Sequence, residues 1–252
     1  MNPVIGILVA VREELAPIVK KMPSVDKEST GGLLFHKGTI SGKQVVVARS
    51  GMGIERAQTA AQKLIEQYKP DHLLMCGFGG AISHSIAVGD IVVANRLYST
   101  ASGEPFEPSD ALVNLAGRVK GDHFRVVLGG LVTSTILVST PGDKKSLADS
   151  LPEVLAVDME TNGVAVAASA AGVPWLGVRA ISDGADDALP FDFSKMVDPA
   201  TGEVAISRIA AMAVTKPWKI PSLIQLGGRA SLAARNLASF VESYVQSYEP
   251  EP

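Results

Sequence analysis

Apolar runs of strand length alternate with amphipathic stretches through most of the chain, and glycines, serines or charged residues punctuate them. Val4–Val11 reads as a buried strand, followed by a helix that Arg12-Glu13-Glu14 opens towards Lys21. Acidic residues suit that position because they oppose the positive end of the helix dipole. Leu33–Ile40 and Lys43–Arg49 are strands joined by a Ser41-Gly42 hairpin signal. Ile54–Tyr68 has the periodicity of an amphipathic helix, and His72–Cys76 and Val88–Ala94 that of strands. A polar loop, Ser99–Asp110, is a candidate lid; Asp110–Lys120 is a short helix, and Arg125–Val138 gives one or two strands. Ser139–Leu155 reads as a connection holding a short helix near Lys145–Ser150. The Ala, Val and Gly run Gly163–Ala171 predicts a buried helix closely approached by neighbouring backbones, and Trp175–Ile181 a central strand. A helix is expected from Glu203, an irregular linker over Lys216–Ser222, and a last helix over Ser231–Tyr248. This alternation predicts an α/β fold, a three-layer sandwich with a twisted mixed central sheet flanked by helices.

The 252 residues are enough for one large domain, 1–252, with 203–252 as its C-terminal helical portion. A net charge of -3 and 5% aromatics argue against a nucleic-acid partner. Cys76 is the single cysteine, which excludes an intrachain disulfide and a thiolate cluster. His36, His72, His84 and His123 lack metal-ligand spacing, so no metal is expected. No apolar run is long enough to span a bilayer, and Val4–Val11 lacks the basic flank of a secretory signal; a cytoplasmic location is expected. Trp218, Ile220, Leu223, Ile224 and Leu226, with Lys216, Lys219, Arg229 and Arg235 nearby, form a basic, apolar segment. Packing onto the domain is expected for it, over contact with a membrane surface.

Candidate chemistry concentrates between Ala156 and Asp187, where Glu160 and Asp183 sit in apolar surroundings. Ser182-Asp183-Gly184 falls at the expected end of a strand, the place where open α/β sheets bind ligands. A partly desolvated carboxyl there favours its acid form, and a second carboxylate can accept bonds from a vicinal diol. Arg179 lies four residues before Asp183, on the same face by the strand period. A salt-bridged core strand followed by an Asp-Gly turn accounts for the same residues. Gly51-Met52-Gly53 and Gly77-Phe78-Gly79-Gly80 follow strands and read as glycine turns, without a dinucleotide fingerprint or a P-loop. On pattern alone, Glu14 is better explained as a helix-terminus charge.

Asp158-Met159-Glu160 and the run from Arg179 to Asp186 resemble paired signatures of the nucleoside phosphorylase/nucleosidase superfamily, closest to 5′-methylthioadenosine/S-adenosylhomocysteine nucleosidases. The resemblance extends through the segments Gly6–Glu14, Ser50–Gly53, Gly77–Gly80 and Val88–Val92, in the family's order. It implies that Asp183 is the acid towards purine N7, Glu160 the ribose carboxylate and Glu14 the base that activates water. Met159 would pack beside the sugar, Arg179 and Ser182 would support the site around Asp183, and Val138 and Ser139 would hold the base edge. Met52, Phe78 and Gly79 complete the implied substrate contacts. A purine nucleoside is then the expected partner, no cofactor is needed, and a homo-oligomer, dimer or hexamer, is expected.

Met75 and Phe78 stand where the phosphorylase branch has Arg and Ser, and Glu13-Glu14 would repel phosphate, so hydrolysis is favoured. Nucleosidases carry Ser in place of Phe78 and an acidic residue where Thr135 and Ile136 stand, which points to a different or bulkier 5′ group. The segment Trp218–Gly227 also resembles relatives associated with hopanoid synthesis that release adenine from adenosylhopane. Phosphorolysis, with Arg12 or Arg49 as phosphate ligand, and a nucleoside-binding sensor without catalysis are the competing readings.

Overall fold

The computed structural model describes residues 3–189, 215, 218 and 220–249. In chain order the elements are β1 (Val4–Val9), α1 (Arg12–Val19), β2 (Val25–Thr30), β3 (Leu33–Ile40), β4 (Lys43–Arg49), α2 (Ile54–Tyr68), β5 (His72–Ala81) and β6 (Ile91–Ser99). There follow β7 (Ser102–Phe106), α3 (Asp110–Gly117), β8 (Val126–Thr133), α4 (Pro141–Ser150), β9 (Val154–Asp158), α5 (Thr161–Ala170), β10 (Trp175–Asp183) and α6 (Ile220–Ser247).

Alternation along β1 fixes the layers. Ile5, Ile7 and Val9 point into a core shared with Ile18 of α1, Leu112 of α3 and Leu237 of α6. Leu8 points the other way, into a core with Ala57 and Leu64 of α2 and Val164 and Ala168 of α5. A sheet buried on both faces between helices is the expected three-layer α/β architecture. The small residues of α5 serve close approach, since a Cβ on Gly163 would lie 2.1 Å from the Ile54 carbonyl oxygen at the start of α2.

The sheet is mixed. β1 runs parallel to β4 and β5, β5 parallel to β10, and β6 parallel to β8, whereas β10 meets β6 antiparallel. β4, β3 and β2 extend the sheet as antiparallel hairpins. Because β10 pairs with both β5 and β6, the strands β5, β10, β6, β8 and β9 form a closed circuit. That closure gathers the ends of β5, β8, β9 and β10 in one place.

Several boundaries differ from the sequence pattern. Gly77–Gly80 is part of β5 and not a turn after it. The candidate lid over Ser99–Asp110 contains β7, a partner of β6. β9 emerges from what reads as a connection, because a five-residue strand leaves too short a periodic signal to see. The last helix starts at Ile220, eleven residues before the expected Ser231, and runs through Gly227-Gly228. The helix expected from Glu203 lies outside the described residues. No described helix is long and apolar enough to cross a membrane.

Candidate active site

Glu14 sits on the first turn of α1 and is almost wholly buried. One carboxylate oxygen accepts the backbone N–H groups of Ala10 (2.7 Å) and Val11 (3.0 Å). The other accepts the N–H of Phe78 (2.7 Å), across the sheet on β5. Glu14 is therefore a helix-terminus charge and also a bridge to the central strand. Burial raises its pKa from the ordinary value, against the lowering effect of Arg179 and of these three N–H donors.

Arg179 of β10 is fully buried beside it. Its guanidinium pairs with Asp158, lies 3.6 Å from a Glu160 oxygen and donates to the Thr161 hydroxyl at 2.8 Å. Asp158, at the end of β9, also accepts the Thr133 hydroxyl (2.5 Å) and the Thr161 N–H (3.1 Å) at the start of α5. Asp158 thus ties three elements to Arg179. Glu160 follows at the turn into α5 and accepts the Gly53 N–H at 3.1 Å. Gly53 holds φ at 103°, a conformation that favours glycine. Burial pushes the Glu160 carboxyl up to about 7; Arg179 opposes this, while Asp158 and Glu14 add to it.

Asp183 closes β10 on the other side of the cavity. The register on β5 slips between Ile181 and Asp183, so Arg179 stands opposite Gly77 and Asp183 opposite Gly80. The displacement is three places on β5 against four on β10, an odd mismatch that breaks the same-face expectation. Arg179 accordingly supports Glu14, Asp158 and Glu160, and Asp183 has other partners. Its Oδ1 accepts the Ser182 hydroxyl (2.8 Å), and its Oδ2 pairs with the Lys144 ammonium of α4.

The glycines of β5 now have a specific cause. A Cβ on Gly77 would lie 2.2 Å from an Arg179 nitrogen and 2.9 Å from a Glu14 oxygen. One on Gly80 would lie 2.9 Å from the Asp183 carboxylate. They clear room for buried charged side chains, which the notion of a ligand-binding turn does not anticipate.

A cavity of about 570 Å³ joins these groups. Glu13, Glu14, Asp158, Glu160, Ser182 and Asp183 supply its polar wall. Met52, Phe78, Met159 and Val138 supply apolar wall, and Ile136, Leu137, Leu223, Ile224 and Leu226 extend it beneath the start of α6. Gly79 also lines it, whereas Arg179 and Ser139 do not. Arg179 lies behind the carboxylates, and the Ser139 carbonyl is taken by the Leu189 N–H at 2.9 Å. Neither Arg12 nor Arg49 reaches the wall, and no lysine or arginine is among its described residues. Among the described residues no cluster of His, Cys, Asp and Glu is arranged to hold a metal.

The sequence pattern of the phosphorylase superfamily matches residues 4–215. The chain belongs to that superfamily. Within it, the chain is 30% identical to the 5′-methylthioadenosine/S-adenosylhomocysteine nucleosidase of Listeria innocua over 222 residues, covering 80% of this chain and 95% of the relative. The enzyme of that name from Shewanella loihica is 29% identical, covering 82% and 98%. Solved structures share the fold. The nucleosidase of Colwellia psychrerythraea, in complex with adenine, superposes with a TM-score of 0.77 at 22% identity, covering 98% of this chain and 96% of that one. Futalosine hydrolase of Helicobacter pylori gives 0.77 at 23% identity, covering 98% and 99%.

Two residues of this superfamily member escape the sequence reading as site components. Asp158 stands in the quoted motif but reads as a neighbour of Glu160, and its use as the Arg179 anchor depends on the β8–β9 pairing. Lys144 carries no local signal at all. A lysine in the first turn of a polar helix normally reads as a solvated charge.

Proposed function

We infer that this protein is an enzyme, a purine nucleosidase that hydrolyses the N-glycosidic bond of an adenine nucleoside carrying an apolar 5′ substituent. The observation that carries the reading is one cavity with buried Glu14 and Glu160 on one wall and Asp183 on the other. Glycosidic cleavage passes through an oxocarbenium-like state, cationic at the sugar, with charge gathering on the departing base. In this reading Glu160 accepts the ribose hydroxyls, Glu14 takes the proton of the attacking water and Asp183 protonates purine N7. Met159 and Phe78 pack against the nucleoside. The cavity lies within the range of about 300–1,000 Å³ usual for small-molecule sites.

The absence of a basic residue from the described wall favours water over phosphate as nucleophile. The apolar extension under α6 supports an apolar 5′ group larger than a hydroxyl, and Phe78 offers no hydroxyl of its own.

The test is base release, followed by chromatography, from adenosine, methylthioadenosine, S-adenosylhomocysteine, inosine and a long-chain 5′-alkyl adenosine, each with and without inorganic phosphate. Free adenine and free sugar without phosphate are expected, fastest from an apolar 5′-substituted substrate. Release that requires phosphate would replace hydrolysis by phosphorolysis. Asp183→Asn should lower kcat by about 10²–10⁴-fold while adenine binding persists. An Asp183→Asn enzyme with unchanged turnover would remove Asp183 from the acid role.

A further inference from the structure

Lys144 is fully buried although it lies in the first turn of a short surface helix. Its ammonium has three hydrogens and meets three acceptors: the Asp183 carboxylate, the Gly184 carbonyl at 2.6 Å and the Asp187 carbonyl at 3.2 Å. The hydroxyl of Thr140 caps the helix through the Asp143 N–H (3.1 Å), which fixes where α4 begins and so where Lys144 points. The loop that supplies both carbonyls is braced in turn. An Asp187 oxygen accepts the Gly184 N–H (2.7 Å) and an Arg229 N–H of α6 (2.6 Å).

We propose that Lys144 is a positioning residue that stores the proton Asp183 delivers to the departing base. This rests on the nucleosidase reading above. The number of acceptors is the argument. Transfer of one hydrogen to Asp183 leaves a neutral amine with two N–H groups, and two carbonyls remain to receive them. The lone pair then faces the new carboxyl O–H, so neither protonation state strands a buried donor.

The balance of the step is complete. An Nζ–H bond of Lys144 breaks as an O–H bond forms on Asp183. That O–H breaks as N7 gains the proton, while the electron pair of the C1′–N9 bond moves into the purine. Water adds to C1′ and loses its proton to Glu14; Asp183, which lines the cavity, takes a proton back from solvent and returns it to Lys144. Of the other charged groups near this pair among the described residues, Asp187 and Arg229 pair with each other, and Glu13, Glu14, Asp158 and Glu160 line the same cavity as Asp183. On α4 itself Asp143 bonds Thr140, and Lys145 pairs with Asp149 at the surface.

The experiment compares pH profiles of kcat/KM for the wild type, Lys144→Met and Lys144→Arg on the best substrate of the panel, with unfolding midpoints and adenine binding recorded alongside. Lys144→Met should change the shape of the profile, with its alkaline limb moved to lower pH than in the wild type. Lys144→Arg keeps the charge but cannot surrender a proton, so turnover should fall about a hundredfold or more. Full rescue by Arg, or a Met profile that overlays the wild type, would overturn the proposal. If the variants do not fold, the wild type decides: an ammonium limb shifts to lower pH on warming, and a limb that stays fixed belongs to a carboxylate. A wild type that releases no base would remove the nucleosidase reading and this role together. An active wild type with unmoved variants removes only the role of Lys144.

Discussion

The two ends of the cavity are built on different charge balances. At one end Glu14, Asp158 and Glu160 surround Arg179, three carboxyl groups to one guanidinium. At the other, Asp183 pairs with Lys144 and Asp187 with Arg229, two of each sign. Burial pushes Glu160 up to about 7, with repulsion from Asp158 and Glu14 adding to it, and burial raises Glu14 as well. A wall short of positive charge is suited to a state that becomes cationic at the sugar. A balanced wall is suited to passing a proton without creating a buried net charge. The difference teaches that residue type alone does not set the environment of a buried carboxylate; its partners do.

The severest way to break the comparison is to remove the one cation of the carboxylate end. Arg179→Met leaves Asp158 buried with its hydroxyl and N–H partners but no counter-charge, and should cost about 3–5 kcal/mol of stability. Chemical denaturation checks this, and a loss under about 1 kcal/mol would show that the network tolerates its own repulsion.

A sharper and smaller test uses pH. Glu160 titrates near 7 in the folded protein against an ordinary value of 4.5, so between those limits the folded chain binds more protons than the unfolded one. Stability must then fall as pH rises through that window, because its slope follows the protons bound unfolded minus those bound folded. Glu160→Gln should flatten the slope. Thermal unfolding midpoints from pH 4.5 to 8 provide the measurement, and a midpoint that climbs with pH in both proteins would contradict the assigned direction.

The smallest effect belongs to the rim, which neither charged cluster touches. Ile224 is 71% exposed at the mouth of the cavity. Ile224→Ala should raise KM for a long 5′-alkyl adenosine by about tenfold or less and leave adenosine unaffected, with kcat retained. Equal changes for both substrates would move the 5′ group away from α6.

Much of the frame was legible in the chain. An apolar run placed β1, a hairpin signal placed β3 and β4, the 3.6-residue period placed α2, and the small-residue run placed α5, because each of these signals is local. Glu14, Glu160 and Asp183 were also legible, through motifs in a recognisable order. Sequence determined which carboxyl groups are available to one cavity and roughly where strands deliver them. Their partners were decided only in three dimensions. The slip between Ile181 and Asp183 separates Arg179 from Asp183, and no dipeptide preference marks it. The glycines of β5 look like turn residues until the side chains of Arg179, Glu14 and Asp183 are seen to occupy their missing Cβ positions. Lys144 is the extreme case, 39 residues from Asp183 along the chain and joined to it only by the fold. Burial and pairing are long-range quantities, so a charge that reads as solvated along the sequence becomes a site residue when the sheet closes around it.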